Sequence, residues 1–247
     1  MKKQLLAMAV IAAASIPAAH AERFFADNSV TVLGGGEFKL DGTGESLNYD
    51  YSQTTYTIEH VSGYSWGGLF FFMDRDQGES DWGASYSEFS PKVFITQFDG
   101  GLVKNINAAF TVESGTTSTG VNQDNFLWGV GADLAIPGMN YASATYYYCV
   151  NDTTDNDHQI TLTYGASWGQ VALEGYIDYS TGGSDNKDLF LGHHASFNFN
   201  PQLTYDLGPM VGYGNKLKVG IEYSSWHNKY GSEYDEDTVS AMVKMHF

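Results

Sequence analysis

The sequence is poor in cysteine, proline and basic residues, and each shortage excludes a class of protein. One cysteine, Cys149, leaves no partner for an internal disulfide. Twelve lysine and arginine residues face 29 aspartate and glutamate residues, which argues against a nucleic-acid partner because nucleic acids are bound by clustered basic side chains. Five prolines, 28 glycines and 15% aromatic residues favour many antiparallel strands over helices, so one all-β domain is expected.

The first 21 residues have the pattern of an export signal. Lys2-Lys3 gives a basic start, residues 5–17 form an apolar core, and Ala19-His20-Ala21 is a small-x-small cleavage site. We therefore expect cleavage after Ala21 and a single mature domain over residues 22–247. No other apolar run approaches the ~20 residues that a membrane-spanning helix needs.

Apolar and polar residues alternate through the mature chain in about twelve segments of roughly ten residues, which is the length a tilted strand needs to cross a bilayer. The final segment shows the pattern, with one face formed by Val239, Ala241, Val243, Met245 and Phe247 and the other by Ser240, Met242, Lys244 and His246. Such a segment predicts a strand with one apolar face and one largely polar face.

The connections between these segments predict how the strands are arranged. Counted from the N-terminus, odd connections are long, polar and mostly acidic, whereas nearly all even ones are short, as at Gly63–Ser65 and Phe98–Gly101. Long loops on one rim and tight turns on the other are typical of an outer-membrane barrel. We therefore predict an all-β fold, an outer-membrane antiparallel β-barrel of about twelve strands in a Gram-negative cell. The aromatic C-terminal Phe247 resembles the signal that the barrel-assembly machinery recognises.

If the apolar face meets lipid, the opposite face lines the interior and carries charges of both signs. Six of these residues are candidates for cross-strand ion pairs within the lumen, namely Glu37, Lys39, Glu88, Lys92, Lys218 and Lys244. Buried charges need partners, so they either fill a small lumen or line a polar pore that admits a hydrophilic solute. The sequence leaves both readings open.

The segment that contains Phe70 and Phe72 is apolar at almost every residue, so an apolar–polar alternation cannot show which of its sides faces inward. It lies in a hairpin whose spacing, E-x6-W-x-G-x-F-x-F-x-D, is formed by Glu59, Trp66, Gly68, Phe70, Phe72 and Asp74. This spacing resembles the second and third strands of the Tsx/OmpK family of nucleoside channels. Residues 86–91, 201–208 and 219–231 resemble later strands of that family. At Gly68 the chain departs from it, since the family typically carries an acidic residue there.

The resemblance implies passive diffusion of nucleosides across the outer membrane. Aromatic rings can stack on a base, and carboxylates can accept hydrogen bonds from ribose hydroxyl or amino groups. The lumen residues that the resemblance offers for these roles are Phe70, Phe72 and Trp226 for stacking and Glu59, Asp74 and Glu222 for hydrogen bonding. Each aromatic can equally be a packing residue, and each carboxylate can equally belong to an ion pair.

Two other functions fit parts of the sequence. A surface barrel with a closed lumen could serve as a structural protein or as a docking site for phages or colicins, with its acidic loops near lipopolysaccharide. An outer-membrane esterase is the remoter alternative, because His194 and Ser196 lie on the same face of one segment. That face points inward, away from lipid esters, so no catalytic residue is assigned. The scattered histidines give no metal site, and no cofactor is expected.

Overall fold

The computed structural model describes residues 22–39, 50–79, 82–183 and 193–247, and these form a closed barrel. Each strand pairs antiparallel with its neighbours along the chain, and the first strand pairs with the last. The predicted twelve-stranded antiparallel barrel is therefore confirmed. The strands are β1 Arg23–Lys39, β2 Asp50–Tyr64, β3 Gly67–Gly78, β4 Gly83–Gln97, β5 Val103–Thr117, β6 Asn122–Leu134, β7 Tyr141–Val150, β8 Asp157–Trp168, β9 Val171–Ser180, β10 Ser196–Asp206, β11 Leu217–His227 and β12 Glu236–His246.

The alternation of side chains separates an apolar outer face from a polar inner face. On β12 the apolar Val239 and Val243 are exposed on the outside, whereas Ser240 and Lys244 are buried inside. The same pattern recurs around the barrel, so large apolar side chains cover its outer surface. A soluble protein would bury such a surface, and a barrel in lipid exposes it.

The two rims of the barrel differ in their connections. Four short turns, the longer connection between β10 and β11, and both ends of the described chain lie on one rim, which corresponds to the periplasmic rim of outer-membrane barrels. The connection between β10 and β11 contains a short helix, α1 (Gly208–Val211), whose first N–H donates to the Asp206 carboxylate at 2.8 Å. No helix in the described ranges has the length and apolar character needed to span a membrane.

Several boundaries differ from the sequence-based expectation. The hairpin between β2 and β3 turns at Ser65-Trp66 instead of residues 63–65. The polar stretches 75–85 and 114–123 were expected to be long loops, but β3 extends to Gly78, β4 begins at Gly83, and β5 and β6 leave only residues 118–121 between them. Strands that rise above the bilayer meet water on both faces, so they lose the alternation that marks a strand in sequence.

Part of the sequence-based description falls outside the described residues. The export signal over 1–21 lies there, as do residues 184–192 in the connection before β10. That strand, expected to begin near residue 189, begins at Ser196.

The β2–β3 hairpin has a register that defines its inner face. Glu59 pairs with Phe72 and Thr57 pairs with Asp74, whose carboxylate accepts a hydrogen bond from the Thr57 hydroxyl at 2.6 Å. Phe70 shares this parity. The three intervening apolar residues therefore face outward, namely Leu69, Phe71 and Met73.

A β-bulge interrupts β1 between Gly35 and Phe38. Glu37, at the bulge, has φ +66°, a left-handed conformation uncommon for a residue with a side chain. The bulge shifts the alternation by one residue, so Phe38 packs near Tyr51, with ring centroids 5.9 Å apart, while Glu37 is exposed. A bulge of this kind gives no clear signal in the apolar–polar pattern.

Candidate functional site

The inner surface of the barrel is the candidate site, and an ion bridge crosses it. The Lys244 ammonium on β12 lies 3.2 Å from the Glu59 carboxylate on β2 and 3.5 Å from the Glu174 carboxylate on β9. The Lys244 side chain is only 5% exposed, against 26% and 22% for the two glutamates. One ammonium thus neutralises part of the charge of two carboxylates in a nearly desolvated position.

The positions of these strands show what the bridge does to the lumen. Following the strand order through β1, β12, β11 and β10, β2 and β9 are five strand steps apart in a ring of twelve. Glu59 and Glu174 therefore lie on nearly opposite walls, and Lys244 joins them across the interior. The bridge forms a constriction between the two ends of the barrel.

On the periplasmic side of the constriction the structure contains a cavity of about 640 Å³. Its lining includes Glu174, Lys218 and His246, and the His246 ring lies 2.6 Å from the Asp27 carboxylate. Lys218 stands opposite Lys244 in the β11–β12 register. This part of the lumen carries both signs of charge.

Lys92 forms a further ion pair on this side. Its ammonium lies 2.6 Å from the Asp133 carboxylate, which also accepts a hydrogen bond from the Asn105 amide at 3.0 Å. Lys92 also lies beneath Gly68, where an added Cβ would meet the lysine side chain at 3.3 Å. Asp133 was not predicted as a lumen residue, although its position in the alternation of β6 places it on the inner face.

On the extracellular side the lumen is lined mainly by carboxylates. Five of them project from five different strands, and each accepts a hydrogen bond from a hydroxyl or an amide group. The pairs are Asp74 with Thr57 at 2.6 Å, Glu88 with Tyr86 at 2.9 Å, Glu113 with Asn125 at 3.0 Å, Asp178 with Thr161 at 2.6 Å and Glu222 with Gln202 at 2.7 Å. In the described part of the chain none of the five has an ion-pair partner.

Aromatic rings form a row beside these carboxylates. The Phe70 and Phe72 ring centroids are 5.8 Å apart, and Phe72 and Tyr86 are 5.7 Å apart. The Tyr86 hydroxyl donates to Glu88, which pairs directly with Phe72 across β3 and β4. An aromatic surface and two or three acceptors therefore lie next to each other on one wall.

Trp226 lies near the extracellular mouth. Its indole N–H donates to the Ser196 hydroxyl at 2.9 Å, and its ring packs against Tyr230 with centroids 4.6 Å apart. The Lys229 ammonium lies 5.5 Å from the centre of the Trp226 ring and 2.6 Å from the Glu236 carboxylate. The mouth thus contains a cation, the Lys229 ammonium, that contacts both aromatic rings and a carboxylate.

The structure brings together only some of the candidate charge pairs. Lys92 and Lys244 make ion pairs, with Asp133 and with the two glutamates of the bridge. Glu37 is exposed at the bulge, and Lys39 lies at the end of β1, where its ammonium contacts the Asp235 carbonyl oxygen at 2.7 Å. Glu88 binds a tyrosine hydroxyl instead of a lysine.

Besides Asp133, two further contributors to the lumen were not predicted from the sequence. Glu113 ends an alternating segment in which Asn105 and Asn107 face inward, so its parity was available as a signal. An inward apolar cluster had no such signal: Cys149 is buried there with Ala109, Leu127 and Tyr147. Its members share the wall formed by β5, β6 and β7, so this wall is less polar than the others.

His194 and Ser196 do not form a nucleophile–base pair. The Ser196 hydroxyl accepts from Trp226 and donates to the His227 carbonyl oxygen at 3.2 Å. The His194 ring lies 3.7 Å from the Glu233 carboxylate. A serine nucleophile requires its base within hydrogen-bonding distance, and both side chains have other partners here.

The connection between β11 and β12 forms an acidic surface outside the lumen. Asp235 accepts a hydrogen bond from the Asn228 backbone N–H at 3.0 Å, and its other oxygen lies 3.1 Å from the His227 ring. These contacts hold the pKa of Asp235 below its ordinary value, and the backbone hydrogen bond from Asn228 contributes most. Across the described ranges no three His, Cys, Asp or Glu side chains are grouped to hold a metal ion.

Comparison with known proteins shows what this barrel resembles. No family model and no curated protein sequence matches the chain. Among solved structures, a KdgM porin in complex with disordered oligogalacturonate has a TM-score of 0.53 and 11% identity, covering 89% of this chain and 99% of that one. The NanC porin has a TM-score of 0.50 and 11% identity, covering 87% and 98%.

A third similar structure is an enzyme. The outer membrane phospholipase A from Escherichia coli has a TM-score of 0.54 and 8% identity, covering 89% of this chain and 90% of that one. At such low identity these likenesses show the fold alone. The chain has the barrel fold found in outer-membrane porins.

Proposed function

We propose that the protein is an outer-membrane channel through which small hydrophilic solutes diffuse passively. The observation that carries the proposal is the lumen itself, which is lined by charged and hydrogen-bonding side chains and narrowed by the bridge of Glu59, Lys244 and Glu174. The inner carboxylates keep part of their surface in contact with solvent. A barrel that only had to fold would gain more from an apolar interior, because buried charges are costly.

Nucleosides are the favoured solute. The spacing that resembles the Tsx/OmpK family includes Glu59, Phe70, Phe72 and Asp74, and the register of the hairpin supports a shared inner face for these four residues. A base could stack on the Phe70–Phe72 pair, while the neighbouring carboxylates accept hydrogen bonds from sugar hydroxyls. Glu222 and Trp226 line the facing wall on β11 and offer a further acceptor and a further ring.

Residues 1–21 would direct export, with cleavage after Ala21, and the barrel over 22–247 would then be assembled in the outer membrane. The backbone N–H of Phe247 donates to the Asn28 carbonyl oxygen at 2.9 Å, so the C-terminal residue lies at the seam where β12 meets β1. Its side chain is exposed and available to the assembly machinery. The acidic extracellular connections would face lipopolysaccharide.

A structural or receptor barrel with a closed lumen is the second candidate. The observation that favours it is the same bridge, since Lys244 joins opposite walls and leaves less room between them. In that case the acidic loops would carry the function by binding a phage or a colicin. The two candidates differ in whether the purified barrel conducts ions.

The nucleoside assignment can be tested by current block. Purified protein in a planar bilayer should show an ion current that adenosine, added to the bath, reduces in a saturable manner. The Phe72→Ala variant should need about tenfold more adenosine for half block, because a stacked base is worth about 1–3 kcal/mol. Phe71→Ala, on the lipid side of the same strand, is the matched control. A current that nucleosides never block would leave a channel and remove nucleosides as its substrate.

A further inference from the structure

We propose that the extracellular half of the lumen binds small organic cations carrying primary ammonium groups, and that the channel passes cations in preference to anions. The permeation part rests on the proposed channel function, whereas the binding part does not. The site is formed by Asp74, Glu88, Glu113, Asp178 and Glu222, with Asn198 between them.

The first observation is an excess of negative charge without bound counter-charge. The three lumen lysines that the strands carry, Lys92, Lys218 and Lys244, all lie at or below the constriction. Above it the donors to the five carboxylates are hydroxyl and amide groups, which carry no charge. A neutral donor satisfies a hydrogen bond and leaves the charge in place.

The carboxylates also face one another across the lumen. Glu88 on β4 is the register partner of Glu113 on β5, and Asp178 lies on β9, five strand steps from β4 and so on the facing wall. Asp74 on β3 and Glu222 on β11 are four strand steps apart in the ring of twelve. Charges of one sign between low-dielectric walls raise the local concentration of mobile ions of the opposite sign. The extracellular half of the lumen therefore attracts cations.

A second, independent observation points to a bound donor. Asn198 is 9% exposed, and its side-chain oxygen has no hydrogen-bond donor among the described residues. Its amide nitrogen donates to the Tyr176 hydroxyl at 3.3 Å, and its register partner on β9 is Asp178. The Asn198 oxygen and the neighbouring Asp178 carboxylate both accept hydrogen bonds. A solute group that only donates hydrogen bonds would therefore suit both of them. A primary ammonium has three donors and no acceptor.

The mouth of the barrel already contains such an arrangement within the chain. The Lys229 ammonium contacts both oxygens of Glu236 at 2.6 Å and lies 5.3 Å from the centre of the Tyr230 ring. Phe72 and Tyr86 beside Asp74 and Glu88 offer the same combination of rings and carboxylates without a lysine. The ammonium group of a solute could therefore occupy, beside Phe72 and Tyr86, the position that Lys229 occupies at the mouth.

The arrangement suits an organic cation better than a bare metal ion. Metal ions need three or more ligands at one point, and the described residues contain no such group. The carboxylates are instead spread over several strands and both walls. A flexible chain with separated ammonium groups can contact two of them at once.

Calorimetric titration of the folded protein in neutral detergent tests the binding directly, whether or not the barrel conducts. Cadaverine should bind, and 1,5-pentanediol and glutarate, which have the same length but no positive charge, should not. Glu88→Gln and Asp178→Asn should each weaken cadaverine binding about two- to threefold, the effect of removing one screened charge a few ångströms away. The control is Asp124→Asn, an exposed carboxylate on the outer face of β6. Equal binding of diamine and diol, or equal losses in the control, would overturn the proposal.

The reversal potential of the bilayer current under a KCl gradient tests the selectivity. It should shift toward the potassium equilibrium potential, and the Glu88→Gln/Asp178→Asn double variant should reduce the cation-to-anion permeability ratio about fivefold. A current without preference for potassium would refute the inference and leave the channel function intact. Absence of any current would refute the channel, and the calorimetric result would then decide the binding site alone.

Discussion

Replacing Lys244 with methionine removes the ammonium that joins β2 to β9 while keeping an unbranched side chain of similar length. At 3.2 and 3.5 Å and an effective dielectric constant of about 20, each contact contributes about 5 kcal/mol of gross attraction. Desolvation of the lysine offsets much of this, and breaking a buried ion pair costs about 3–5 kcal/mol. Because Glu59 and Glu174 remain about one quarter exposed, we expect the lower end, about 3 kcal/mol of unfolding free energy.

Two measurements follow the consequences of this substitution. Denaturant unfolding in detergent, monitored by tryptophan fluorescence, should show the loss of stability, and single-channel recording should show a larger conductance because the bridge no longer narrows the lumen. Lys104→Met, at an exposed lysine near the periplasmic rim, is the control. Adding Glu59→Gln and Glu174→Gln to Lys244→Met should restore stability by removing the unpaired charges. A folded Lys244→Met protein with wild-type conductance would refute the constriction.

Two further substitutions test local features of the barrel. Gly67 has φ +155°, and an added Cβ would lie 1.9 Å from the Lys92 carbonyl oxygen, so Gly67→Ala should destabilise the β2–β3 hairpin by about 2 kcal/mol, whereas Gly138→Ala, at an open turn, should cost less. Denaturant midpoints compare the two. Ser196→Ala should leave permeation intact, because the hydroxyl only orients Trp226 and binds a backbone carbonyl oxygen. A measurable esterase activity that this variant lost would instead make the barrel an enzyme.

The fold could be predicted because its main determinants are local in the sequence. A strand that meets lipid on one side alternates visibly, as in the segment from Val239 to Phe247, and tight turns are marked by glycine. The strand extensions at 75–78 and 114–117 could not be predicted in this way, since they meet water on both faces. The bulge at Glu37 gives no clear local signal either, because it inserts one residue without changing the composition.

The site could be predicted less completely, for a physical reason. Parity places a side chain on the inner face, and this identifies Glu59, Glu174 and Lys244 as lumen residues. Which of them meet depends on closure of the sheet and on the stagger between strands. The bridge joins residues 185 positions apart, and sequence order gives no indication of that contact. The hydrogen bonds that tyrosine and threonine hydroxyls donate to the carboxylates could not be predicted for the same reason.

We propose that the barrel is an open channel despite its bridge. The ion current of the purified wild-type protein in a planar lipid bilayer tests this. We expect stepwise, reproducible increments of conductance as single barrels insert. If folded protein, verified by its resistance to detergent unfolding, inserts without any conductance, the channel is not open and a closed receptor barrel is favoured.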